Sequence, residues 1–368
     1  MNLHFGDNLV LSSSNDCNGR ISHTFTQRNF ISCNIPSITC MSSLGIPNID
    51  QALERELIQG LEKVELLLAR HIQGEYPLVV ETSRHLVEAG GKRFRPLITL
   101  LASQFGNGIS PQVISAAAVC ELTHVATLYH DDVMDEATLR RGVQSANDRW
   151  GNAVAILTGD YLFSKASDLL ADLGPEAVRL QAKTFEQLVI GQIQETQGPP
   201  NGADALEHYL KVVLDKTGSL IATSARFGAM LSGASKETTE LLTRFGEKIG
   251  IAFQLADDVI DIASESSQSG KTPGTDLREG IPTLVTLQIL TSDNAEDQEL
   301  KQKLSAPLSV DETSKVLAEL RAHPALATAR AHLHGLADDA RTMLISLPEI
   351  PARKALENLC RAIVDRTS

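Results

Sequence analysis

A chain of 368 residues has room for one large domain or two ordinary ones, and 42% hydrophobic against 21% charged residues suits a globular protein with a real core. A formal charge of −13 argues against nonspecific nucleic-acid binding, and no apolar run reaches the about eighteen residues that a membrane-spanning helix needs. Aromatics are scarce at 4% while Ala and Leu dominate, which favours helix over sheet.

Residues 1–43 stand apart. They are rich in Ser and Asn, carry only Asp7, Asp16, Arg20 and Arg28 as charged side chains, and lack helical periodicity. No basic stretch precedes an apolar one there, so the segment does not read as a signal peptide. A disordered tail is expected, with Met41 an alternative start and the folded domain spanning 44–368. Three of the five cysteines (Cys17, Cys33, Cys40) lie in this tail, and no pair has zinc-site or disulfide-framework spacing.

Beyond Asn48 the helical pattern is nearly continuous. Asp50 can cap a helix through Arg70, with Leu53, Leu57, Leu61, Val64 and Leu68 on one stripe. Further helices are expected near 76–89, 96–105, 110–137, 152–173, 175–197, 204–214, 217–232, 236–263, 281–291, 311–321, 325–346 and 351–366. Strand-type alternation, repeats and a linker are absent after residue 50, and the polar loop 264–279 is too long for a mere connector. The expectation is one all-α domain, a bundle of many helices.

Several stretches carry chemistry. Gly90-Gly91-Lys92-Arg93-Phe94-Arg95-Pro96 ends one helix and starts the next. Glycine at a C-cap and proline at the first helical turn explain part of it. Three cations beside a helix N-terminus go further and make a grip for phosphate. Within Ala116–Arg141, Asp131, Asp132 and Asp135 read D-D-x-x-D at the end of an apolar helix. Asp131 and Asp135 then stack on one face about 6 Å apart along the axis, a repulsion that a hard divalent cation such as Mg²⁺ would relieve. A solvated acidic turn would look the same. Arg140-Arg141 follow, read either as partners of the helix C-terminal dipole or as diphosphate ligands. His124, taken by itself, reads as a packed core histidine.

The deciding feature is a second D-D-x-x-D, Asp257, Asp258 and Asp261, again after an apolar helical run. Two such clusters on separate helices, facing one another across a bundle, could clamp several Mg²⁺ ions on one diphosphate. Lys216-Thr217 open another helix, and Lys271 and Pro273-Gly274-Thr275-Asp276 lie in the long loop.

With GGKRFRP, His124-x6-DDVMDEATLRRG, KTG, FQLADDVID and GKTPGTDL in this order, the chain over about residues 50–368 resembles the trans-isoprenyl (polyprenyl) diphosphate synthase family, in particular bacterial long-chain members. The resemblance implies an all-α isoprenoid-synthase fold around a central apolar cavity, a homodimer and a cytoplasmic enzyme. It implies that Asp131, Asp132, Asp135, Asp257, Asp258 and Asp261 hold Mg²⁺ and the allylic diphosphate. Arg140, Lys216, Thr217, Gln254 and Lys271 would bind that diphosphate, and Lys92, Arg95, His124 and Arg141 isopentenyl diphosphate. Arg93 receives no role. The implied reaction adds isopentenyl diphosphate to an allylic diphosphate, giving a product of about C35–C50 for a quinone side chain, menaquinone being the expected one. A transient membrane contact for releasing the product stays open. A geranylgeranyl or farnesyl diphosphate synthase is the alternative. A terpene cyclase would need no isopentenyl site, and a noncatalytic prenyl-binding partner would have lost an acid cluster. Ala126 and Thr127, small residues one turn before Asp131, are expected to leave room for a long product, Ala126 more than Thr127.

Overall fold

The computed structural model describes residues 44–74, 76–264, 273–305 and 308–367. The expected tail over 1–43 and Lys271 lie outside the described residues. Among the described residues no helix is long and apolar enough to cross a membrane.

In chain order the helices are α1 (Gln51–His71), α2 (Pro77–Glu88), α3 (Phe94–Ser103) and α4 (Pro111–Met134). A two-stranded hairpin, β1 (Leu139–Arg140) and β2 (Val143–Gln144), separates them from α5 (Ala146–Trp150), α6 (Asn152–Leu173), α7 (Pro175–Gln197) and α8 (Ala205–Val213). Then come α9 (Ser219–Leu231), α10 (Lys236–Ala263), α11 (Thr275–Glu279) and α12 (Leu284–Leu290). The chain closes with α13 (Gln298–Leu304), α14 (Val310–Ala322), α15 (Pro324–Met343) and α16 (Pro351–Asp365). The all-α expectation holds.

Local chemistry sets the boundaries. Asp50 accepts from the backbone N–H groups of Ala52 and Leu53, both at 2.9 Å, and so starts α1. Ser110 caps α4 ahead of Pro111, and Ser309 with Glu312 forms a capping box on α14. Gly174 ends α6 and begins α7, and Pro175 supplies the first residue of the new helix.

The structure departs from the expected elements at four places. α4 stops at Met134, with Asp135 as its C-cap rather than inside a helix reaching 137. Arg140 and Arg141 do not close that helix. Arg140 pairs with Val143 in the hairpin, and Arg141 (φ 53°) and Gly142 (φ 78°) form the turn, the two left-handed residues a tight two-residue loop demands. The expected helices 204–214 and 217–232 are joined by a π-helical turn, Leu214–Gly218. The short helices α5, α11 and α13 appear where no helix was expected.

Two apolar cores result. One gathers Leu57, Leu97, Leu101, Phe245, Ile249, Leu255, Leu333 and Leu356. The other gathers Val64, Leu68, Leu86, Leu122, Val125, Tyr129, Leu162 and Leu170. α1 runs from the first to the second. α4, apolar nearly all round, packs most extensively on α6, and α10 on α9. Each acid cluster therefore sits on a helix anchored in a different core.

Candidate active site

The three acids at the end of α4 are unequal. Asp132 is wholly buried, and its Oδ1 accepts from Arg140 Nε at 2.5 Å, while its Oδ2 is buried with no hydrogen-bond partner. Arg140 also reaches Asp135, at 3.8 Å. Asp131 keeps part of its surface, yet burial pushes its carboxyl up to about 6; Lys216 opposes the rise and Asp135 adds to it.

The cluster on α10 repeats the pattern. Asp258 is buried and takes donors on both oxygens, the Tyr209 hydroxyl and Gln254 Nε2 at 2.9 Å. Burial still pushes its carboxyl up to about 6 and holds the Tyr209 hydroxyl well above its usual value, so the tyrosine remains a donor. Asp257 pairs with Arg366, beyond α16, at 2.8 Å. Asp261 accepts from the N–H groups of Thr275 and Asp276, both 3.3 Å, at the start of α11.

The π-helical turn joins the two clusters. Lys216 Nζ meets Glu195 of α7 at 2.5 Å. Burial works against its charge, but Glu195, Asp131 and Asp135 together raise its pKa. The next residue, Thr217, donates to Gln254 Oε1 at 3.1 Å, and Gln254 in turn holds Asp258. Backbone contact with α7 makes this possible, because a Cβ on Gly191 would come within 2.7 Å of the Lys216 nitrogen. At the end of α11, burial raises the Glu279 carboxyl, and Asp135 and Asp261 raise it further. One residue from each cluster is thus within electrostatic reach of a single carboxylate.

Beside the first cluster lies a cationic recess. Arg95 is half-buried, and its Nε is buried with no hydrogen-bond partner. Burial lowers His124 well below its usual pKa, and Arg95, Arg141, Arg140 and Arg93 lower it further, so the ring is neutral. Arg141 Nη1 donates to the Leu86 carbonyl at 2.7 Å and its guanidinium lies against Gly91, where a Cβ would be 3.1 Å away. Lys92 Nζ stands 5.9 Å from the centre of the Phe253 ring, which stacks on Phe94 at 4.6 Å. Arg93 points elsewhere. Its guanidinium binds Glu65 through two bonds (2.5 and 3.1 Å), Glu121 at 2.8 Å and the Val87 carbonyl at 2.8 Å.

The polyprenyl synthetase family model matches residues 76–320. The chain belongs to the polyprenyl synthetase family. A nonaprenyl diphosphate synthase of Mycobacterium tuberculosis is 49% identical over 83% of this chain and 92% of its own length. Among solved structures, a geranylgeranyl pyrophosphate synthase from Corynebacterium glutamicum, complexed with calcium and isoprenyl diphosphate, matches at 43% identity and TM-score 0.78, over 86% of this chain and 98% of that one. A decaprenyl diphosphate synthase from Rhodobacter capsulatus matches at 30% identity and TM-score 0.79, over 86% of this chain and 99% of that one.

Within this polyprenyl synthetase the donor set is right for a hard cation. Carboxylate oxygens dominate, and four of the six acids, Asp131, Asp135, Asp257 and Asp261, keep part of their surface open. Among the described residues no three His, Cys, Asp or Glu side chains converge closely enough to hold an ion by themselves. Ala126 and Thr127 are both buried on α4, to different depths. Ala126 is wholly buried in the core, whereas Thr127, in line with Asp131 on the same helix face, is 9% exposed. Glu121, Glu195, Tyr209, Glu279 and Arg366 complete the site without belonging to any of its motifs. Only Glu121 left a signal, as a lone acid inside the apolar run AAAVCELTHVATL.

Proposed function

We propose that this chain is a long-chain all-trans-polyprenyl diphosphate synthase that condenses isopentenyl diphosphate onto an allylic diphosphate. The observation that carries the reading is the Lys216-Thr217 turn, whose neighbouring side chains lean toward different acid clusters while Arg95, His124 and Arg141 gather beside one of them. Bound at Asp131, Asp135, Asp257 and Asp261, Mg²⁺ would supply countercharge to the allylic diphosphate. Asp132 and Asp258 act differently in this reading, anchoring Arg140 and the Tyr209–Gln254 pair. Lys216 and Arg140 neutralise charge that builds on the departing diphosphate. Lys92, Arg95, Arg141 and neutral His124 hold isopentenyl diphosphate so that its double bond can attack the allylic carbon. As the allylic C–O bond breaks, a C–C bond forms, and the proton lost from the isopentenyl unit goes to the released diphosphate. The apolar helices α4 and α10 keep water from the cation.

A nonaprenyl diphosphate synthase at 49% identity supports the long product, while the C. glutamicum enzyme at 43% supports a shorter one. We also propose a homodimer. Ile156 and Leu157 on α6 and Val178, Val189, Ile190 and Ile193 on α7 are exposed apolar side chains on consecutive helices, the kind of face a second copy would cover.

Purified protein with Mg²⁺, labelled isopentenyl diphosphate and an allylic primer should yield labelled long-chain diphosphates, and EDTA should stop the reaction. Asp131→Ala and Asp257→Ala should each cut turnover by about a hundredfold or more with unchanged circular dichroism. An EDTA-insensitive enzyme would sink the mechanism.

A further inference from the structure

We propose that Glu121 is a positioning residue for the isopentenyl diphosphate site, holding Arg93 and Arg141 so that two separate segments form one preset cationic recess. The proposal rests on the function proposed above. Glu121 lies on α4 with its side chain only 2% exposed. Its Oε1 accepts from Arg93 Nη1 at 2.8 Å and lies 3.5 Å from Arg141 Nη2. Arg93 belongs to the loop between α2 and α3, and Arg141 to the turn of the β1–β2 hairpin. Arg95, in the first turn of α3, loses charge stability to burial, and the Glu121 carboxylate opposes that loss. One buried carboxylate is therefore the common counterion of two guanidiniums that reach it from two stretches of chain, with Arg95 close enough to feel its charge.

The surrounding geometry fixes each arginine in turn. Glu65 of α1 and the Val87 carbonyl take the rest of the Arg93 fork, so Arg93 is committed to the scaffold and is not free for substrate. Arg141 is pinned between Glu121, the Leu86 carbonyl and the Cα of Gly91. Guanidiniums crowded this closely repel one another, and each of Arg93 and Arg141 lies close enough to disfavour the other's charge. Without Glu121 the arrangement loses the charge that offsets that repulsion, and Arg141 is released toward solvent. A diphosphate would then have to order these groups itself, which weakens binding without touching the allylic site.

The test uses the full chain with Glu121→Gln and Glu121→Ala. Initial rates are measured with isopentenyl diphosphate varied at saturating farnesyl diphosphate, then the reverse, with thermal melting as a folding check. The expected result is a KM for isopentenyl diphosphate raised about tenfold in Glu121→Gln and further in Glu121→Ala, with the KM for farnesyl diphosphate within about twofold of wild type. If the Glu121 variants do not fold, Glu65→Gln carries the test, because Glu65 is half-exposed and holds Arg93 from the outside. It should raise the isopentenyl diphosphate KM selectively by about threefold, and no selective rise overturns the assignment. An active wild type whose folded Glu121 variants shift both KM values together, or neither, overturns this assignment alone. A wild type that does not consume isopentenyl diphosphate overturns the proposed function and this assignment with it.

Discussion

At the level of single side chains, Asp258 shows how a motif can hide division of labour. Six aspartates share one pattern in the sequence, yet burial separates Asp132 and Asp258 from the other four. Nothing in D-D-x-x-D says which acid turns inward, because that depends on donors far away in the chain, Arg140 from the hairpin and Tyr209 from α8. Tyr209→Phe should therefore cost about 1.5–3 kcal/mol, since it strips a donor from a buried carboxylate. Urea unfolding would read the loss, and a cost under about 0.5 kcal/mol would mean that the bond contributes little. His124 allows a test by pH. Its folded pKa lies well below 6.5, its unfolded value is about 6.5, and so below that pH the unfolded chain takes up a proton that the folded chain refuses. Stability contributed by the neutral ring is present above about pH 6.5 and lost as the pH falls below it. Relative to His124→Gln, wild type should lose extra stability on the order of 1 kcal/mol between pH 7.5 and 5.5. Parallel slopes in the two proteins would show that the ring titrates normally.

Among the elements, the sequence located most helices to within a few residues, because apolar stripes at helical spacing and caps such as Asp50 and Ser110 are local signals. The β1–β2 hairpin escaped because strands of two residues are too short to alternate, although Arg141-Gly142 was a usable turn signal. The π-helical turn escaped for another reason. Its residues, LDKTG, could continue an α-helix, and the extra residue is accommodated through packing rather than composition. That packing depends on Gly191, whose Cβ would come 2.7 Å from the Lys216 nitrogen and 3.0 Å from the Asp215 Cβ. Gly191→Ala must push α7 away from the turn and carry Glu195 off Lys216. The expected cost is about 1–3 kcal/mol in stability from overpacking. The KM for the allylic diphosphate should rise, while that for isopentenyl diphosphate changes little. A variant with wild-type stability and both KM values intact would mean that α7 yields without disturbing Lys216.

For the molecule as a whole, the fold class was legible in the near-continuous periodicity beyond residue 50, and the family in the order of its motifs. The division into two cores was not, nor was the depth at which each α4 residue is buried, since both follow from which helices meet. That second point bears on product length. Ala126 was expected to govern it, but its side chain has no exposure, and α6 passes so close that a Cβ on Gly159 would sit 3.0 Å from the Ala126 carbonyl oxygen. A phenylalanine there has no space to enter and should mainly destabilise the fold, by about 1–3 kcal/mol or more. Thr127 is one turn below Asp131 on the same face and is buried less completely than Ala126, with its hydroxyl folded back on the His124 carbonyl at 2.8 Å. A hydrocarbon growing away from a diphosphate held at Asp131 meets this face first. Thr127→Phe should therefore shorten the product to about C20 while the first condensation survives, because a pocket's size decides which prenyl chain it accepts. Reversed-phase chromatography of the products of wild type, Thr127→Phe and Ala126→Phe, with melting curves for each, separates the two roles. Full-length product from Thr127→Phe, together with a short one from a stable Ala126→Phe, would put the growing chain on the α6 side of α4 instead.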